Sequence, residues 1–382
     1  MSIEDFSTKM KSIQIATLEF LEDESVAEKK YENLVNLISA LKIINDKHEF
    51  EALLHLISSI ASNHQRVCNF ISKIEQLLAL FKKDISQYFT NSEIFEIFKG
   101  NKRILLFLIE EKMMKIDEYI FSRITGNLYD DNKYCEYFLP EIKPFLTTEM
   151  IKKYKNMNRS LQNDKFVEEL KKEVDEDFYE KRKEGENDDS LCKLIRLNEI
   201  KEFVKFVEQR NLSLKMAVKK SIFETNQLLA KKGKIKLIEY AAFFGSNDII
   251  KYMVMNEVEL TSNMWIYAIH SGNAELIKYL EDNHVSPPEK IINSILKESI
   301  KCHHNEIAKY IIDNLIKEED LQNDNLYEYA VEYNNYCFFP ENMKSEKMFL
   351  DSCQFGYFTF VKLYLEVENI DVNIKSIKIS NI

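Results

Sequence analysis

Hydrophobic residues recur at i, i+3 and i+4 along nearly the whole chain, with polar residues between them, which is the spacing of one face of a helix. The first 90 or so residues predict consecutive amphipathic helices. Leu34, Leu37, Ile38, Leu41 and Ile44 share one face, Leu53, Leu54, Ile57 and Ile60 a second, and Phe70, Ile71, Ile74, Leu77, Leu78 and Phe81 a third. The polar joints Asn45-Asp46 and Ser62-Asn63 predict the breaks between them. Neither the spacing nor the loop lengths suggest strands. With 7 glycines and 5 prolines in 382 residues, the turns of an all-β fold would be hard to build.

The clearest pattern runs from Leu237 to Glu281, where one short sentence is written twice. A small residue stands four positions before a glycine: Ala241 before Gly245, Ala268 before Gly272. A polar pair follows, then two aliphatics, a lysine and a tyrosine: Ile249-Ile250-Lys251-Tyr252 and Leu276-Ile277-Lys278-Tyr279. The glycines are 27 residues apart, a recurrence that marks stacked repeats. Each unit predicts two short helices joined at the glycine, whose freedom to adopt positive φ lets one helix stop and the next run antiparallel. Such a pair cannot bury its own apolar face and must stack on another.

Weaker copies lie on both sides. Gly100 to Leu108 follows the outline of Gly272 to Leu280, Gly126-Asn127 is a degenerate turn, and Pro140 and Pro144 are expected to close this block. Downstream, Glu202–Val207, Glu306–Ile311 and Phe360–Leu365 match the second helix, Ser352–Gly356 matches the turn, and Tyr329–Asn335 is a degenerate unit. Between the two regions, 163–190 is densely charged. A solvated helix from Asp164 to about Lys183 followed by a polar loop explains it better than a binding tail. The organisation expected is therefore an N-terminal helical region over 1–162 with cryptic repeats from about 91, a charged helix and linker over 163–190, and repeats over 191–382. The fold class is all-α, an elongated helical solenoid of antiparallel helix pairs.

Ala241-Ala242, Gly245, Asp248-Ile249-Ile250-Lys251 and Asp371-Val372-Asn373 resemble the ankyrin repeat. More narrowly, the chain is similar to the divergent ankyrin-type proteins abundant in some parasitic protists. The Thr-Pro-Leu-His opening is missing, and the spacings of 27 and 31 fall short of the family's usual length. The resemblance implies a protein–protein interaction module with shortened hairpin fingers.

Composition narrows the function classes. The net charge of −11 disfavours a general nucleic-acid binder, whose affinity comes from neutralising phosphates. The six cysteines have no paired spacing and read as small hydrophobes in a reducing compartment. The start lacks a signal-peptide pattern, and the longest apolar run, Ile104 to Ile109, is too short to span a membrane. A soluble cytoplasmic protein is expected. Catalytic signatures fail in turn. Gly233-Lys234 lacks the rest of a phosphate loop, and His48-Glu49 lacks the second histidine of a zinc-protease helix. Cys302-His303-His304 is the densest metal-capable cluster, but neighbours on a helix point about 100° apart, and the cluster sits where the repeat turn should be. Cys192 and Cys353 have no local histidine partner. No catalytic, cofactor or metal residues are assigned.

The expected function is a non-enzymatic scaffold that binds a protein partner through the concave face of the array. The alternative is an enzyme, or a regulatory arm of one, whose site is assembled from distant residues. In the register of an ankyrin-like unit, the position five before the turn glycine points away from the core. That places Tyr240, Tyr267, Glu298 and Asp351 on one row. Tyr240, Tyr267 and His270 are the expected partner-binding residues, with Trp265 buried and Phe243 and Phe244 divided between groove and core. The recurring lysines 205, 251, 278, 309 and 362 are expected to face solvent, each followed by a buried aromatic or leucine such as Tyr252, Tyr279 or Leu363.

Overall fold

The computed structural model describes residues 2–23, 28–67, 69–126, 134–155, 168, 170, 173–231, 233–287, 291–316, 323–340 and 346–367. The expectations at Cys68, Asn127, Asp371-Val372-Asn373 and residues 163–167 lie outside them. In chain order the first helices are α1 Ile3–Glu22, α2 Glu28–Ala40, α3 Lys47–Asn63, α4 Phe70–Leu80, α5 Lys82–Tyr88, α6 Asn91–Phe98 and α7 Lys102–Glu110. Next come α8 Glu118–Thr125, α9 Tyr134–Tyr137, α10 Leu139–Ile142, α11 Thr148–Lys155 and α12 Glu176–Glu184. The C-terminal half holds α13 Ser190–Arg196, α14 Ile200–Gln209, α15 Gln227–Lys231, α16 Leu237–Phe243, α17 Asn247–Met255, α18 Met264–His270 and α19 Ala274–Asp282. It ends with α20 Ile292–Lys301, α21 Asn305–Asn314, α22 Asn323–Glu332, α23 Glu346–Gln354 and α24 Phe358–Val367. Among the described residues no strand forms; Ala217 and Lys236 make a single antiparallel bridge. The all-α expectation holds.

Local chemistry sets the helix starts. Ser2 accepts the amide of Asp5 while Asp5 reaches back to the Ser2 amide, and Thr90 and Glu93 do the same. Asp46 caps α3 at the joint read from the sequence, Asn101 caps α7, and Asp189 caps α13. Pro140 and Pro144 do not end a helix. They sit in the first turns of α10 and of a 3-10 turn, where proline has no lost hydrogen bond to answer for.

The repeat is written more regularly in backbone than in side chains. Two residues before each second helix the chain turns left-handed: Asn198 (φ 50°), Gly245 (67°), Gly272 (63°), His303 (59°), Asn334 (56°) and Gly356 (69°). After the turn an amide bonds a carbonyl five residues back: Glu199 to Leu194, Ser246 to Ala241, His304 to Ser299, Asn335 to Ala330 and Tyr357 to Ser352, at 2.8–3.0 Å. This is the Schellman closure of a helix. Gly272 has the positive φ expected of it. The second helices close alike, with Lys112, Asn211, Glu257 and His284 left-handed and bonds from Met113 to Leu108, Leu212 to Val207, Val258 to Met253 and Val285 to Leu280. The pair α6–α7 belongs to this pattern through Lys112, although Gly100 itself is not left-handed.

Contacts group the chain into two compact units, one of 1–74, 272–277 and 286–382, the other of 75–271 and 278–285. In the first, the N-terminal helices pack on the last repeats. Phe6 meets Phe360 and Tyr336 edge-on at 5.4 and 6.4 Å, and Thr359 donates to the His48 carbonyl. The Gln14 amide donates to Asn335 Oδ1 (2.7 Å) and to His303 Nδ1 (3.0 Å), while its oxygen accepts the Tyr336 amide (2.7 Å). His64 is held between the Cys302 carbonyl and the Glu22 carboxylate, its ring 4.9 Å from that of His304. Glu298 and Asp351, expected to point outward, are buried here and paired with Lys301 and Lys347.

In the second unit, α13 packs on α16, α16 on α18, and α14 on α17. The segment between α14 and α16 leaves the array and returns to the N-terminal helices. Gln227 donates to the Gly100 carbonyl and buried Lys102 to that of Ile222, both at 2.9 Å. Trp265 is buried as expected, its indole donating to Val285. Across the molecule all five recurring lysines are exposed and Leu363 is buried, whereas Tyr252 and Tyr279 are only half-buried. Tyr252 lies edge-on to Phe203. Cys135, Cys192 and Cys302 are buried as small hydrophobes, but Cys353 is exposed.

Candidate interaction groove

The charged stretch before the repeats is not a freely solvated linker. Asp175 caps α12 and Gly185 ends it in the left-handed conformation. Its inner face is fixed by Arg182, which is buried, bidentate to Glu141 at 2.6 and 2.9 Å, and close to the rings of Tyr137, Phe178 and Tyr179. With that face pinned, Asp177, Glu180 and Glu184 point outward at helical spacing. After Gly185, whose carbonyl accepts from the Thr225 amide and hydroxyl, buried Asn187 donates to the Lys219 carbonyl. Asp189 then starts α13.

This path leaves an open groove of about 670 Å³ between α12 and the α13–α14 hairpin. One wall carries Asp177, Glu180 and Glu184. The other carries Leu194, Leu197 and Phe206 with Lys193 and Lys205. Leu197, at the left-handed turn, is 60% exposed, and the Arg210 guanidinium lies 4.0 Å over the Phe206 ring. Lys181 is shared between Asp177 and Asp188, and Lys205 is paired with Glu202. Glu180, Glu184 and Lys193 have no ion-pair partner among the described residues.

The groove rests on a buried polar cluster. Arg196, at its base, donates to the Asn187 carbonyl (2.7 Å) and to the Tyr240 hydroxyl (3.2 Å). Burial opposes the charge on Arg196, but Tyr240, Glu186 and Glu224 outweigh it and raise its pKa. Burial, reinforced by Glu224, raises Tyr240 far above the usual phenol range, so it stays neutral. Burial and then Asp189 push the Cys192 thiol up to about 12, the opposite of an activated nucleophile. The adjoining cavity, lined by Asn187, Lys219, Ser221, Glu224 and Tyr240, encloses about 20 Å³, room for one water. Arg196, Tyr240 and Asn187 brace the groove from beneath.

The residues expected to meet a partner lie elsewhere. Tyr240, Tyr267 and His270 are each 1% exposed, which overturns the accessible row read from the register. Tyr240 is drawn in by Arg196. His270 stacks on Phe243 at 4.3 Å, with the Asn226 amide 3.4 Å away, so the segment between α14 and α16 covers the first-helix face here. Phe243 is core and Phe244 half-buried. What the sequence did not disclose is the wall of α12. Its signal was Phe178 and Arg182 at i, i+4, an inner face that leaves Glu180 and Glu184 as an outer one.

No family model, no curated protein and no solved structure matches this chain.

Proposed function

We propose that the protein is a non-enzymatic interaction scaffold, an ankyrin-like array of helix pairs that docks a protein partner. The observation that carries this reading is the α12–α14 groove: a braced, two-walled surface with an exposed leucine and unpaired carboxylates. Contiguous apolar surface rimmed by polar residues marks interaction sites, and Leu194, Leu197 and Phe206 lie together in this groove. The recurring left-handed turns support a repeat array. The protonated thiol of Cys192 and the water-sized cavity behind it favour structure over catalysis. The net charge of −11 argues against nucleic acid. Among the described residues no helix is long and apolar enough to cross a membrane.

The test is quantitative affinity capture from the native cell with the full chain and with a Glu180→Lys/Glu184→Lys/Leu197→Asp variant. All three positions are exposed, so helicity and melting should be unchanged. Loss of specific partners from the folded variant supports the proposal. An unchanged partner list overturns the groove as the docking site.

A further inference from the structure

The two walls of the groove differ in kind, and that difference specifies an occupant. Glu180 and Glu184 stand one helical turn apart on α12, exposed and without an ion-pair partner among the described residues, with Asp177 one turn further back. Opposite them are Leu194, the exposed Leu197 and Phe206. Lys193, also without an ion-pair partner, stands on that apolar side. Lys181 on α12 is taken up by Asp177 and Asp188, and Glu202 on the opposite wall by Lys205. Among the described residues the unpaired charges left on the walls are two carboxylates on α12 and one lysine facing them, and they draw a ligand's cations toward α12.

Resting on the scaffold reading above, we infer that the groove takes a short basic amphipathic helix of a protein partner. Its lysines or arginines, spaced i and i+4, lie along Glu180 and Glu184, and its leucine-like face covers Leu194, Leu197 and Phe206. Residues four apart on a helix repeat at the separation of Glu180 and Glu184, so one helix laid along α12 matches both carboxylates at once. An apolar face in a groove is the usual mode for such segments. The charges set orientation and encounter more than affinity.

The experiment uses the full chain and a fluorescein-labelled peptide of leucine and lysine only, roughly four helical turns long, patterned with one apolar and one lysine face. Its companions are the same composition rearranged to strand alternation and a version with glutamate for lysine. Two exposed pairs and their reversal predict about tenfold weaker anisotropy binding in Glu180→Lys/Glu184→Lys, together with a gain for the glutamate peptide. Leu197→Asp also weakens binding. The matched reversal Glu28→Lys/Glu32→Lys, an exposed i, i+4 pair on α2, leaves it unchanged and so controls for general attraction to an acidic protein. Equal binding of the rearranged peptide, or equal losses from the two reversals, overturns the inference. If native partners are lost from the groove variant while the lysine helix does not bind, the partner chemistry is wrong and the scaffold reading stands. If neither depends on the groove, both fall.

Discussion

Two glycines in the first unit have nearly the same backbone but different surroundings, and they separate conformational strain from steric conflict. Gly272 (φ +63°) and Gly356 (φ +69°) both occupy the left-handed turn. A Cβ on Gly356 would meet nothing within 4 Å, whereas one on Gly272 would lie 2.9, 3.1 and 3.2 Å from His304 Cε1, Nε2 and Nδ1. The His304 ring lies 4.9 Å from the ring of His64, so it has little room to slide away. Gly356→Ala should cost only the left-handed penalty, about 1–2 kcal/mol. Gly272→Ala should add an overpacking term of about 1–3 kcal/mol, for about 2–5 kcal/mol in all. Urea denaturation followed by circular dichroism measures both in the same unit, taking that unit's own transition if the two units unfold separately. In a His304→Ala background Gly272→Ala should fall back toward the Gly356→Ala value. Equal costs for the two glycines, or no relief in that background, would show that His304 does not confine the Gly272 turn.

Three further outcomes follow from buried polar groups. Burial and then His64 lower the His303 pKa from 6.5 to about 3. The folded state thus binds fewer protons than the unfolded one between those values. The resulting stability is complete above about pH 6.5 and is lost as pH falls toward 3, at up to about 1.4 kcal/mol per pH unit. His303→Asn, which tolerates φ 59° and removes the ring, should flatten that slope in urea titrations at stepped pH; an unchanged slope would count against the neutral, Gln14-bonded ring. Arg182→Ala should cost about 2–4 kcal/mol by stranding Glu141 and emptying the space among Tyr137, Phe178 and Tyr179, and a loss under 1 kcal/mol in chemical denaturation would mean the pair is not what holds α12. Tyr240→Phe should cost about 1–2 kcal/mol by removing the buried hydroxyl that accepts from half-buried Arg196; a variant of wild-type stability would remove Tyr240 from the bracing cluster.

The helices and the recurring left-handed turn were legible because they rest on local rules. The i, i+3, i+4 spacing, the caps at Asp46 and Asn101 and the glycines at 245, 272 and 356 each act within a few residues of themselves. The other turns were harder to read because Asn198, His303 and Asn334 adopt the same left-handed backbone without glycine: asparagine tolerates it but is common in other loops too, and histidine carries no compositional mark. The groove was legible only in part. The expected helix end near Lys183 matches α12, which ends at Glu184, but that the helix forms a wall depends on Arg182 finding Glu141, a partner 41 residues away, and no local window contains that contact. The error at Tyr240 and His270 has the same origin. At Tyr240 the register misses Arg196, and at His270 it misses Asn226, on a segment that repeat logic treats as a loop; each lies 44 residues away in sequence.

Docking of a protein in the α12–α14 groove can be read out by site-specific photocrosslinking. A benzophenone amino acid at Leu197, 60% exposed in the groove, is compared in native lysate with the same group at Met255, 84% exposed on α17 outside it. A discrete crosslinked partner is expected from position 197, absent from position 255 and competed by the lysine–leucine helix. No crosslink from 197, or the same products from both positions, would contradict it.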